Sequence, residues 1–336
     1  MRWYAGLYWL ALGASVASGQ TYHVARRTVL GGDGGWDLLA LDTAGQRLFV
    51  ARQNRVMVID PADGRLLGEI PGFDRAHGIA FAYAAGHGFA TSGGDSTVVM
   101  FDLTTLAVVA RIKVDLDADG ILYEPVTKRI FSINGDAQTA SAIDPVSGRR
   151  IGTVALGAKP EFAVADGEGH LYVNLEDQGA IAELDAAALT VMRRWSLAPC
   201  ASPTGLALDR AHHILFSGCR SGVMAISNAS SGALLTTVPI GAGVDGCRFD
   251  SATGLAFASN GDGTLTVVRA VAADRFEVAA TVPTEPGART LELDQRTHRI
   301  FTVTAELGPA PLAAPDHPHP RRPVVPGTFA LLELDP

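Results

Sequence analysis

Three cysteines in 336 residues are too few for a disulfide-built scaffold, and they allow at most one internal bond with one thiol left over. Charged residues make up only 18% of the chain and nowhere form a block of like sign, and Lys+Arg 27 against Asp+Glu 35 leaves a net charge of −8. Double-stranded nucleic acid and anionic membrane surfaces therefore meet no broad basic footprint. Beyond the first residues no apolar run approaches the ~20 needed to span a bilayer. Gly-x-Ser-x-Gly, His-Glu-x-x-His, phosphate-loop and Cys-x-x-Cys-His patterns are all missing, so no residue is assigned a catalytic role. What the chain has in quantity is apolar residues, at 47%, together with 37 glycines, a composition suited to a large core cut by many turns.

Residues 1–19 read as a signal peptide: Arg2, an apolar stretch from Trp3 to about Leu12, then small residues ending in Ala17-Ser18-Gly19. A periplasmic or secreted location is expected. The alternative is an uncleaved anchor.

From there on, one sentence repeats. Asp60, Asp102, Asp144, Asp185, Asn228 and Arg269 each close an alternating apolar run and recur about every 42 residues. Asp60-Pro-Ala-Asp-Gly64, Asp144-Pro-Val-Ser-Gly148 and Asn228-Ala-Ser-Ser-Gly232 add a common turn chemistry. Each period holds four short strand-like runs, and four strands in about 40 residues describe a propeller blade. The reading is an all-β, seven-bladed β-propeller of four-stranded antiparallel blades, one domain over 20–336. The seventh blade lacks a fourth strand after "TFALLELD", and "YHVARRTVL" at 22–30 is free to supply it, closing the ring with the N-terminal strand.

"LYVNLEDQGAIAELD" at 171–185, "GDGTLTVV" and "GARTLELDQRTHRIF" resemble bacterial seven-bladed YncE-like propellers of the Tyr-Val-Thr-Asn repeat type, a likeness covering everything from about residue 22. It implies an exported propeller. One branch of that family is associated with DNA, which the acidic balance of this chain disfavours.

In a propeller the residue just before each innermost strand lies at the rim of the central channel. Aligning the repeats on Asp42, Asp166, Asp209, Asp250 and Asp294 puts Asp37, His77, Asp119, Glu161, Thr204, Asp245 and Arg289 there, six of them ionisable. Such a rim is a solvated border with an internal ion pair, or a pocket for a small polar ligand, a metal or a protein partner. Asn134, Asn174 and Asn260, with Arg52 and Ser92, end the second strands and are expected on the same face, where the amides would hydrogen-bond a sugar or peptide or, as the simpler reading, cap the loops in which they sit. An enzyme of lactonase type would hold a channel cation with Glu161, Asn174, Asn260 and Asp245; a non-enzymatic binding or scaffold protein would use the same mouth, and that is the preferred reading.

Three features stand apart. Asp115, Asp117 and Asp119 are spaced like a calcium loop, although Val126 stands where an EF-hand needs glutamate, so a divalent cation (Ca) is weighed against a plain acidic turn. The proline-rich stretch 305–327 contains His317 and His319 and reads as a cover loop. Cys200 lies just before the fifth inner strand and Cys219 at the end of its antiparallel neighbour, so a Cys200–Cys219 bond is expected, with Cys247 buried between blades.

Overall fold

The repeated turn chemistry fixes where each strand stops. Asp60, Asp102, Asp144, Asp185 and Asn228 turn their side-chain oxygens back onto backbone N–H groups two or three residues on, as in Asp144 Oδ1 with Val146 (3.0 Å) and Ser147 (2.7 Å). Asp42, Asp166, Asp209, Asp250 and Asp294 do the same two hairpins earlier, at the ends of inner strands. The repeat is thus a repeat of side-chain-capped hairpins.

A computed structural model describes residues 21–311 and 322–336. It contains seven four-stranded antiparallel sheets, and the only helical elements among the described residues are two 3-10 turns, Tyr83–Ala85 and Glu176–Gln178. The inner strands are Leu39–Asp42, Ala76–Ala82, Ala118–Glu124, Pro160–Ala165, Pro203–Asp209, Val244–Asp250 and Leu291–Asp294. Six sheets follow chain order from inside out. The seventh runs Leu291–Asp294, Arg299–Thr304, Ala330–Asp335 and then His23–Val29, which pairs antiparallel with the C-terminal strand from His23↔Asp335 to Val29↔Ala330. The ring is closed by the two ends of the chain, as the incomplete seventh repeat requires. The proposed leader, 1–19, lies outside the described residues, and no described helix is long and apolar enough to cross a membrane.

The core is made between sheets. Each second strand carries one aromatic at its third position, Phe49, Phe89, Phe131, Tyr172, Phe216, Phe257 and Phe301, all buried. A blade has neighbours on both faces, so its middle strands are buried throughout, as in Arg129–Asn134, where only the first residue is partly exposed. Burying one such ring contributes roughly 1.5–3 kcal/mol. Cys200 and Cys219 form a disulfide, while Cys247 is a free, fully buried thiol pushed up to about 12 by that burial.

Candidate functional site

The rim residues reach the channel because the inner strands are bulged there. In the second blade the pairing runs from Ala76↔Ser92 to Ile79↔Ala90, so His77 and Gly78 together face Thr91 alone. The same irregularity holds Asp119 with Gly120, Glu161 with Phe162, Thr204 with Gly205, and Asp245. A bulge bends the strand and re-aims the side chain next to it. Asp37 and Arg289 precede the shorter inner strands of the first and seventh blades. In four blades glycine follows the rim position (Gly78, Gly120, Gly205 and Gly246) and lets adjacent blades approach: a Cβ on Gly78 would lie 2.9 Å from Asp119 O, and one on Gly205 2.7 Å from Cys247 N. Phe162 fills that place in the fourth blade instead. It lines both the mouth and a larger cavity of about 690 Å³ at the other end, and so stands between them, with the Arg248 guanidinium 5.3 Å from its ring centre.

All seven expected rim residues line one cavity of about 210 Å³, with Arg75, Asp117, Lys159 and Arg220 among them. Charges alternate around it. His77 Nδ1 is 2.5 Å from Asp37 Oδ2 and 3.5 Å from Asp119 Oδ1. Arg289 donates to Asp245 at 2.7 Å and lies 4.0 Å from Asp37; Arg75 meets Asp117 at 3.0 Å. Lys159 Nζ sits 2.6 Å from Glu176 and 3.3 Å from Glu161, and Arg220 is 3.1 Å from Glu176. Thr204 spends its hydroxyl on Val244 O at 2.8 Å.

Crowding decides where the protons sit. Burial, followed by the charge of Asp119 and a hydrogen bond to Glu176, pushes the Glu161 carboxyl up to about 9, so it is protonated at neutral pH. Glu176 moves the other way: against its burial, the hydrogen bond from Glu161 and the contact with Lys159 hold it low. Burial also works against a charged His77, but the Asp37 hydrogen bond and the Asp119 charge lift it to about 9. Asp119 itself is pushed up to about 7 by burial, against the pull of His77 and with the repulsion of Asp37 and Asp245.

The Glu161 shift makes a pH prediction. A carboxyl whose pKa rises from about 4.5 unfolded to about 9 folded favours the fold fully below the lower value, and that contribution is lost as pH climbs through the higher one. Stability should fall between these limits with a slope from this group approaching ~1.4 kcal/mol per pH unit. Glu161→Gln should flatten the fall, and thermal melts of both proteins across that range measure it. Parallel curves would mean that Glu161 is ionised in the folded protein.

Other expected residues are placed elsewhere. Asn134, Asn174 and Asn260 are fully buried and do not line the mouth. Asn134 and Asn260 bond threonine and serine hydroxyls within their own blades, and Asn174 donates to Thr204 O and Gly205 O at 3.0 and 3.1 Å, holding the bulge of the next blade. Thr91 and Ser259 brace their neighbours likewise, through Asp119 O and Ala288 O. Ser92 is buried on Asp74, and Arg52 is buried on the loop before the first blade. The lactonase arrangement needs Asn174 and Asn260 beside the carboxylates, which this placement does not give. Asp115, Asp117 and Asp119 do not converge as a calcium loop would: Asp115 goes to Arg150 and Thr139, Asp117 to Arg75, and Asp119 towards His77. Among the described residues, a set whose ligand atoms do come together, within 4.8 Å, is Asp37, His77 and Asp119.

Arg75, Lys159, Glu176 and Arg220 were not read from the sequence, and Asp117 was read as part of a calcium loop, not of the rim. A signal for two of them exists two residues before the rim position, where Arg75, Asp117, Ser202, Gly243 and Gly287 all take positive φ. This repeated left-handed turn aims Arg75 and Asp117 at each other. The base of the proline-rich stretch is pinned by a Leu307↔Val324 bridge, and Leu307, Arg322 and Val324 border a cavity shared with Asp245 and Arg289. Residues 312–321, including His317 and His319, lie outside the described residues.

No protein-family model and no curated protein matches this sequence. Its shape is similar to a crystal structure of RRP9 WD40 repeats, with a TM-score of 0.75 and 11% identity over 95% of this chain and 98% of that one. The structure of U3-55K is similar too, at 0.74 and 10% over 93% and 98%. At such identity the likeness concerns the fold alone, and the chain is a seven-bladed propeller of the shape that WD40 repeats adopt.

Proposed function

We propose that this is an exported, non-enzymatic binding protein of the YncE-like type, whose ligand is a small polar molecule bearing groups of both charges and whose site is the channel mouth. One observation carries this reading: five acidic and five basic side chains converge on one cavity of about 210 Å³, delivered by all seven blades. A cavity this size suits a small molecule rather than a polypeptide. Its walls offer fixed donors and acceptors, and Phe162 closes its floor.

The acidic net charge of the chain supports a partner other than nucleic acid. A thermal-shift screen of small zwitterions, amines and polyols on the full chain tests the proposal. A true ligand at a hundred times its Kd should stabilise by ~2.7 kcal/mol. Asp245→Asn and Arg220→Gln should each remove most of that shift. Stabilisation that survives both substitutions would place the ligand elsewhere.

A further inference from the structure

The geometry points to a divalent metal site of the borderline, zinc-like class at the mouth, formed by Asp37, His77 and Asp119 from the first three blades. This rests on the reading of the mouth as a ligand site and names one component of what it holds. The three residues occupy the same rim position in consecutive repeats: a bulge aims His77 and Asp119 into the mouth, and Asp37 stands two residues before the inner strand of the first blade. His77 Nδ1 faces both carboxylates, at 2.5 Å from Asp37 and 3.5 Å from Asp119. Ligand atoms around a tetrahedral zinc, each about 2.0–2.2 Å from the ion, stand roughly 3.4 Å apart. The Asp119 contact already has that spacing, and Asp37 has only to draw back by about an ångström.

In the metal-free state a proton on Nδ1 occupies the space between the carboxylates. Binding replaces it: the imidazole gives up its Nδ1 proton to solvent, its lone pair goes to the ion, and both carboxylates are neutralised. One nitrogen and two carboxylate oxygens favour a first-row ion over calcium, which takes six to eight oxygens. The site is also open on one side. Three protein ligands leave coordination positions facing the cavity, where water or a ligand oxygen completes the shell. The ring is wedged in place, since a Cβ on Gly93 would lie 3.0 Å from its Cδ2 and Nε2. Arg289, a competing cation, lies 4.0 Å from Asp37, and it donates to Asp245 at 2.7 Å.

The test uses the full chain, stripped with a chelator and titrated with Zn2+ by calorimetry. One ion should bind per chain, and His77→Gln and Asp119→Asn should each weaken it by roughly 100-fold or more, since losing a direct ligand exceeds the 10–100-fold cost of losing an outer partner. Exposed His212, which pairs with Asp209, serves as control, and His212→Asn should leave affinity within about threefold. If a variant fails to fold, Cu2+ loaded on the unaltered protein should show coupling to a single imidazole nitrogen by electron paramagnetic resonance. Absence of tight binding, or affinity unchanged in His77→Gln and Asp119→Asn, overturns the proposal. A chain that ignores Zn2+ yet binds a small polar compound in an Asp245-dependent way keeps the mouth as a ligand site and loses only the metal; one that binds neither loses both.

Discussion

Deleting residues 21–30 should abolish cooperative unfolding of the whole molecule. The segment supplies the fourth strand of the seventh blade, and Tyr22 just ahead of it is buried, packed edge-on to Phe257 at 5.0 Å and bonded to His298 O at 2.9 Å. Arg26 forms an ion pair with Glu333, which is itself buried. Losing one large buried ring alone costs ~3–5 kcal/mol. Added to a stripped sheet edge, the total reaches the ~5–15 kcal/mol that holds a typical protein folded. Denaturant melts of the truncated protein decide the matter: a single transition at the original midpoint would show that the ring stands without its closing strand.

Arg52→Met should cost about 3 kcal/mol or more, an unusual result for a change from a charged to an apolar residue. The guanidinium is fully buried and has no carboxylate partner among its hydrogen bonds. It donates to Gly35 O at 3.1 Å, Asp33 O at 2.9 Å and Gly34 O at 3.1 Å, and stacks 3.6 Å from the centre of the Phe329 ring. Burial lowers its pKa to about 10, still charged at neutral pH. Hydrogen bonds to a charged group contribute ~1.5–3 kcal/mol each, and a desolvated cation over a ring ~2 kcal/mol. Methionine keeps the bulk and loses all of it. Arg52→Lys should recover less than half, because an ammonium lacks the planar fork that reaches several carbonyls at once. Equilibrium unfolding of the three proteins measures this, and a loss under ~1 kcal/mol would mean that the loop holds itself. Since that loop leads to Asp37, binding at the mouth should weaken along with stability.

The blades were legible because their punctuation is chemical: an aspartate that accepts its own turn's N–H groups appears in the sequence at the place where it acts in the fold. The rim was legible for the same reason, since counting back from Asp42, Asp209 or Asp250 lands on residues that the structure gathers at one cavity. The second-strand amides were expected at the mouth because their strands end on that face, which leaves out that a strand end can itself be covered. Here both faces of a middle strand meet another sheet, so a polar residue at its end, such as Asn174, turns to the backbone of the next blade. Arg52 was hidden by its type: nothing local marks an arginine whose partners are carbonyls 17 to 19 residues earlier. The alternating ion pairs were hidden as well, because Arg75 and Asp117 meet across 42 residues of chain.

The order in which the chain is made gives the closing strand a further burden. Among the described strands, His23–Val29 is made first, yet its sheet partner, Ala330–Asp335, is made after all the others. For the whole of synthesis it has to remain unpaired, at a time when bare strand edges recruit one another and aggregate. Its composition suits that delay. The segment reads His-Val-Ala-Arg-Arg-Thr-Val, with two adjacent arginines at its centre and no residue fully buried even after docking. A strand this polar gains little from a premature partner, so it stays available until the last six-residue strand arrives. Blade seven therefore sets the clock for the ring: six blades can assemble as they emerge, and the ring locks only once Ala330–Asp335 has been made.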